Sequence, residues 1–92
     1  MANAIVTVKI MPVSPDVDLD AVEKTAKETI ASFAGEGETR TEIEPIAFGL
    51  KAVKITFVID EKKGSPDVIS EKIEEIEGVN SAEISDVRRA VG

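Results

Sequence analysis

The chain has 92 residues, 42 % of them apolar and 32 % charged, with 11 Lys and Arg against 18 Asp and Glu and a formal net charge of −7. That length makes one domain, residues 1–92, burying roughly 60–65 % of its unfolded surface, and the apolar fraction is too high for a disordered chain. There is no cysteine and no histidine, which excludes disulfides, thiolate zinc sites, iron–sulfur clusters and cysteine nucleophiles, together with the commonest metal ligand and general base.

Ala4 to Met11 reads as a half-buried strand, with Val6, Val8 and Ile10 on one face, Thr7 and Lys9 on the other, and Pro12 closing the run. After a loop punctuated by Pro15, Asp18 is placed to cap a helix whose stripe is Leu19, Val22, Ala26, Ile30 and Phe33. Glu23 and Lys27 form an i,i+4 pair on its wet side, and Gly35 or Gly37 ends it. Thr39 to Ile46 predicts a weaker strand, in which Pro45 marks an end or an edge. Ala47-Phe48-Gly49 is a turn, and Leu50 to Asp60 is the strongest strand, with Val53, Ile55, Phe57 and Ile59 on one face. The short connection makes these two strands an antiparallel hairpin. Past a charged loop, Glu61 to Gly64, Ser65 is a candidate N-cap and Pro66 a first helical residue. Ile69, Lys72, Ile73 and Ile76 follow at helical spacing and Gly78 stops the helix. Ala82, Ile84 and Asp86 alternate in a last short strand, and Arg88 to Gly92 reads as a tail.

The order βαββαβ predicts an α+β ferredoxin-like sandwich, a four-stranded antiparallel sheet with two helices on one face. The functions that this shape hosts can be weighed against the residues. RNA-recognition domains stack bases on aromatics of the central strands, whereas the one strand aromatic here, Phe57, sits among core residues of an acidic chain. Metal carriage would need a cysteine pair. Phosphate hydrolysis would want an arginine and a glycine nest after the first strand, and the loop from Pro12 to Asp18 has neither. No catalytic residue, cofactor or metal is expected. The opening residues show no secretory signal and no run is long enough to span a bilayer, so a cytoplasmic protein with no membrane and no direct nucleic-acid partner is expected.

Three local features have two readings each. Phe48, a large apolar side chain beside Gly49 in a turn, either tucks under the sheet or stands out as an anchor for a partner. Glu71, Glu74, Glu75 and Glu77 crowd toward the C-terminus of the second helix, against its dipole, either as a solvated face or as a binding face. Arg88 and Arg89 are either solvated cations or a positive tip offered to an acidic or metal-binding site.

Three segments carry a resemblance: Met11-Pro12-Val13-Ser14-Pro15-Asp16-Val17-Asp18-Leu19, Pro45-Ile46-Ala47-Phe48-Gly49-Leu50-Lys51, and Gly78-Val79-Asn80-Ser81 through Asp86-Val87-Arg88-Arg89. Over essentially its whole length the chain resembles the archaeal translation elongation factor 1-beta family, which includes the C-terminal guanine-nucleotide-exchange domain of the eukaryotic elongation factor 1-beta chain. The resemblance implies the same sandwich fold and the promotion of GDP release from elongation factor 1-alpha, a GTPase. It implies that Phe48, followed by Gly49, Leu50 and Lys51, lies against that GTPase. It also implies that Arg88 and Arg89 belong to the partner-binding set, Arg89 matching a eukaryotic lysine that points toward the magnesium site. Arginine is forked and bulkier than lysine, and three residues follow Arg89 here, where the eukaryotic ending is shorter. A monomer is expected when free. The rival is a small-ligand regulatory or assembly module of the same fold, which would form stable dimers.

Overall fold

The computed structural model describes residues 3–35, 39–60 and 66–90. The first strand, β1 (Asn3–Pro12), buries every even-numbered residue from Ala4 to Pro12, the two-residue period of a strand with one covered face. A loop leads to the first helix, α1 (Leu19–Ala34), where the Asp18 carboxylate accepts the N–H groups of Asp20 and Ala21 at 3.1 and 3.3 Å. That cap satisfies two of the four N–H groups a helix start leaves orphaned. Val22, Ala26 and Ile30 are buried, Leu19 and Phe33 pack against the core's margin, and Lys27 and Glu23 pair at 2.8 Å on the outer side. Gly35 takes φ 84 at the C-cap, a left-handed value that glycine adopts without a Cβ clash.

The second strand, β2 (Thr39–Pro45), lies at a sheet edge, where Pro45 is free of the ladder's demand for a donor. The third, β3 (Lys51–Asp60), pairs antiparallel with both β2 and β1 and buries Val53, Ile55, Phe57 and Ile59. A second helix, α2 (Asp67–Glu74), anchors itself through fully buried Ile69 and Ile73, each worth about 1.5–3 kcal/mol of burial. The last strand, β4 (Val79–Ala90), closes the far edge, giving the strand order β2-β3-β1-β4. This is the ferredoxin-like sandwich. The even residues of β1, the odd residues of β3 and both helix stripes form one core.

The other sheet face is open and mostly polar, with Ile5 and Val58 paired across it. Thr7 and Thr56, direct cross-strand partners, meet through their hydroxyls at 3.0 Å. Lys9 and Lys54 are also opposite each other, a like-charge pairing that would be unfavourable alone. Glu44 resolves it: one carboxylate oxygen lies 3.5 Å from Lys9 Nζ and the other 3.2 Å from Lys54 Nζ. The hydrogen bond from Lys54 holds the Glu44 carboxyl below its ordinary range, and the charges of Lys54 and Lys9 add to this.

Several boundaries differ from expectation. The helix α2 ends at Glu74 rather than at Gly78, because Glu75 and Ile76 donate to Lys72 and Ile73, three residues back, which tightens the exit before Gly78 reverses at φ 93. Lys72 is exposed and Ser70 takes the inward position instead, its hydroxyl donating to the Asp67 carbonyl at 2.9 Å. Pro66 precedes the first helical residue rather than being it. Glu74, within the crowded acidic end, accepts the Ala82 N–H at 3.3 Å. The Gly37 helix stop, the 61–64 loop and the Ser65 cap lie outside the described residues.

The largest difference is at β4. Residues 88–90 are not a tail: Arg88 pairs with Ile5, Arg89 with Ala4 and Ala90 with Asn3. Nor does Asp86 continue the Ala82 and Ile84 alternation. Val8 faces Ile84 while Thr7 faces Asp86, so Ser85 is an extra residue, a β-bulge, and its hydroxyl donates to the Thr7 carbonyl at 3.3 Å. The bulge turns Asp86 to the open face and Val87 to the helix side.

Candidate partner-binding site

The hairpin of β2 and β3 closes on a bond from the Ile46 N–H to the Leu50 carbonyl at 2.7 Å, and beyond it one from the Leu50 N–H to the Ala47 carbonyl at 3.3 Å. Between them Phe48 has φ 63 and ψ 29, and Gly49 has φ 78. Two successive left-handed residues closed in this way make a type I′ turn, whose twist matches that of the flanking strands. Glycine suits the second position. The first usually takes Asn, Asp or Gly, and a phenylalanine there costs on the order of 1–2 kcal/mol. Phe48 is the only non-glycine residue with positive φ among the described residues. Its side chain returns nothing to the core: it is 94 % exposed. Of its two readings, tucked or projecting, the structure gives the projecting one.

Gly49 and Lys51 also form one wall of a depression of about 200 Å³, whose other walls are Pro12, Ser14, Pro15 and Leu19. The loop after β1 and the turn before β3, about thirty residues apart in sequence, are thus brought together. Of these residues, Pro12, Ser14, Pro15 and Leu19 were not singled out individually as site residues. Their only signal was membership of the 11–19 segment that carries the resemblance. Leu50 is half-buried at the foot of the turn, and Lys51 is exposed.

Arg88 and Arg89 lie elsewhere. Arg89 pairs with Ala4 and the depression's wall begins at Pro12, a span of eight residues of β1, or about 26 Å at 3.3 Å per residue. The two arginines also diverge. Cross-strand partners share a face, so Arg89 stands on the helix side with buried Ala4 and Arg88 on the open side with Ile5, where its Nε donates to Asp86 at 2.9 Å. The sequence-predicted set therefore falls in two separate places, Phe48 to Lys51 at one end of the sheet and the arginines at the other.

Residues 5–90 match the family model of the EF-1 guanine nucleotide exchange domain. The chain belongs to this family. Among curated relatives, an elongation factor 1-beta of Methanothermobacter thermautotrophicus is 40 % identical over 97 % of this chain and 98 % of its own. One from Pyrococcus horikoshii is 43 % identical over 95 % of this chain and 94 % of its own. Among solved structures, the C-terminal domain of a cyclometallase involved in the synthesis of the NPN cofactor of lactate racemase, in its apo form, superposes with a TM-score of 0.63 at 10 % identity. That likeness covers 99 % of this chain but 58 % of the other, and it speaks for the fold alone. Among the described residues no helix is long and apolar enough to cross a membrane, and no group of three or more acidic side chains is placed to hold a metal ion.

Proposed function

We propose that the chain, acting as a single unit over residues 1–92, binds elongation factor 1-alpha and accelerates its release of GDP, with Phe48, Gly49, Leu50 and Lys51 as one contact and Arg88 and Arg89 as the other. The observation that carries the reading, within this family, is Phe48. A phenyl ring held almost wholly in water, on a backbone conformation unfavourable for its residue type, gains nothing for the fold. Strain of this kind persists where a function needs it, and an aromatic with few rotamers is a suitable anchor at a protein interface.

The mechanism is linkage. A GTPase holds its nucleotide through the phosphate loop and a magnesium ion that bridges phosphate oxygens. A partner with higher affinity for the nucleotide-free form lowers nucleotide affinity by the same factor. A thousandfold faster release requires about 4 kcal/mol of differential stabilisation on the release path, and one well-seated aromatic anchor supplies about 2–4 kcal/mol. No group of this chain need form a bond, in keeping with a sequence that lacks histidine and cysteine. Arg89, on the helix side of an edge strand, is the cation we assign to the magnesium and phosphate end of the nucleotide site. The separation of the two contacts means that one partner must present two surfaces at least about 26 Å apart along the strand direction. The free protein is taken to be a cytoplasmic monomer that needs no nucleic acid or membrane.

The test is the release of a fluorescent GDP analogue from the elongation factor 1-alpha of the same organism, chased with excess unlabelled GDP. The expected result is acceleration at amounts far below one equivalent of this protein. Unaltered release from a properly loaded GTPase would refute the function.

A further inference from the structure

We infer that the depression beside Phe48 receives an acidic side chain of the partner GTPase, with Lys51 as its counter-charge, so that the projecting ring and the adjoining hollow form a two-point lock. This rests on the exchange reading above and adds to it a second determinant with opposite physics: Phe48 inserts, while the hollow accepts. Its volume, about 200 Å³, is below the 300–1,000 Å³ of small-molecule sites, so it suits one protein side chain rather than a free ligand. Its walls are largely fixed before binding. Pro12 and Pro15 have locked φ angles, Leu19 is held by its packing against the core, and the turn approaches the loop so closely that a Cβ at Gly49 would stand 4.0 Å from Pro15 Cγ. A preformed hollow avoids the ordering cost that weakens mobile contacts.

The sign of the occupant follows from the polar groups at the hollow. The lining residues with polar side chains are Ser14 and Lys51, and none of the lining residues carries a carboxylate. Among the described residues Lys51 has no ion-pair partner. Lys24 and Lys72 of the helices also lack one among the described residues, whereas the other two lysines of the sheet, Lys9 and Lys54, are neutralised in place by Glu44. In a chain of net charge −7, a lysine without an ion pair among the described residues, on a hollow walled in part by Pro12, Pro15 and Leu19 and beside an exposed aromatic, is complementary to a carboxylate whose methylenes rest on those three residues.

The experiment measures the affinity of the nucleotide-free GTPase for the full chain by calorimetry at several salt concentrations, with Lys51→Ala, Lys51→Glu, Ser14→Phe, Phe48→Ala and, as a charge control, Lys24→Ala on the exposed side of α1. Lys51→Ala is expected to weaken binding about 10-fold and to flatten its salt dependence, and Lys51→Glu to weaken it by about 50-fold or more. Ser14→Phe, which fills the hollow without altering charge, is expected to weaken binding as well, while Lys24→Ala leaves it unchanged. Circular dichroism of each variant establishes that it is folded. If Lys51→Glu and Ser14→Phe bind like the unaltered chain while Phe48→Ala is weakened, the hollow is overturned and the exchange reading stands. If the unaltered chain does not bind the GTPase, both fall together.

Discussion

Phe48 is placed where stability and recognition are in opposition. Its φ of 63 would suit asparagine or glycine better, and its almost wholly exposed ring buries too little surface to offset the strain. Replacing it with asparagine is therefore expected to raise stability by up to about 1 kcal/mol, a gain of roughly 4–8 °C in Tm for a domain of this size. The same variant is expected to lose at least about 10-fold in exchange, since on the proposed reading it removes an interface anchor. Thermal unfolding together with GDP release checks both, and a variant that is more stable and fully active would remove the anchor role. The turn itself was legible, because Gly49 permits a left-handed residue and two strands flank it. The ring's direction was not: a phenylalanine next to a glycine is equally compatible with a turn folded under the sheet, and it is the 94 % exposure of the ring that shows it pointing outward.

At the level of elements, strands with one apolar face were readable to within a residue or two, and β4 was not. The bulge at Ser85 shifts the alternation by one position, so a strict period of two fails at Asp86, and polar residues beyond it resemble a tail. Arg88 and Arg89 are tolerated there because the strand lies at the edge, where charge deters pairing with other chains. The same limit applies to the open face, where charged side chains across three strands form a device that no single strand reveals: Glu44 between the opposed Lys9 and Lys54. Because Lys54 and Lys9 lower the Glu44 pKa in the folded state, its contribution is present above the ordinary value of 4.5 and is lost as pH falls through the lowered one. Glu23, lowered mainly by Lys27, has the same sign. Stability is thus expected to be level near neutrality and to decline below about pH 4.5. Glu44→Gln should be less stable than the unaltered chain at pH 7 and converge with it in acid. Denaturant titrations across pH 3–7 would show this, and parallel curves for the two proteins would contradict it.

Across the whole molecule, the sheet holds two chemically different ends at a fixed separation. One end carries an aromatic, a hollow and Lys51, and the other carries Arg89 on the helix side of an edge strand. Element order alone indicated this fold, because a βαββαβ pattern with one apolar face per strand leaves few alternatives. The separation of the ends was not readable, since it depends on which strand neighbours which. On the proposed reading, in which Phe48 secures the complex and Arg89 acts on the nucleotide site, the two ends have separable kinetic roles. The measurement that tests this most directly is the rate of GDP-analogue release as a function of exchanger concentration, for the unaltered chain, Phe48→Ala and Arg89→Ala. The account predicts that Phe48→Ala raises the half-saturating concentration by about 10-fold or more with the maximal rate largely kept, while Arg89→Ala lowers the maximal rate. Two variants that both follow the unaltered curve would contradict it.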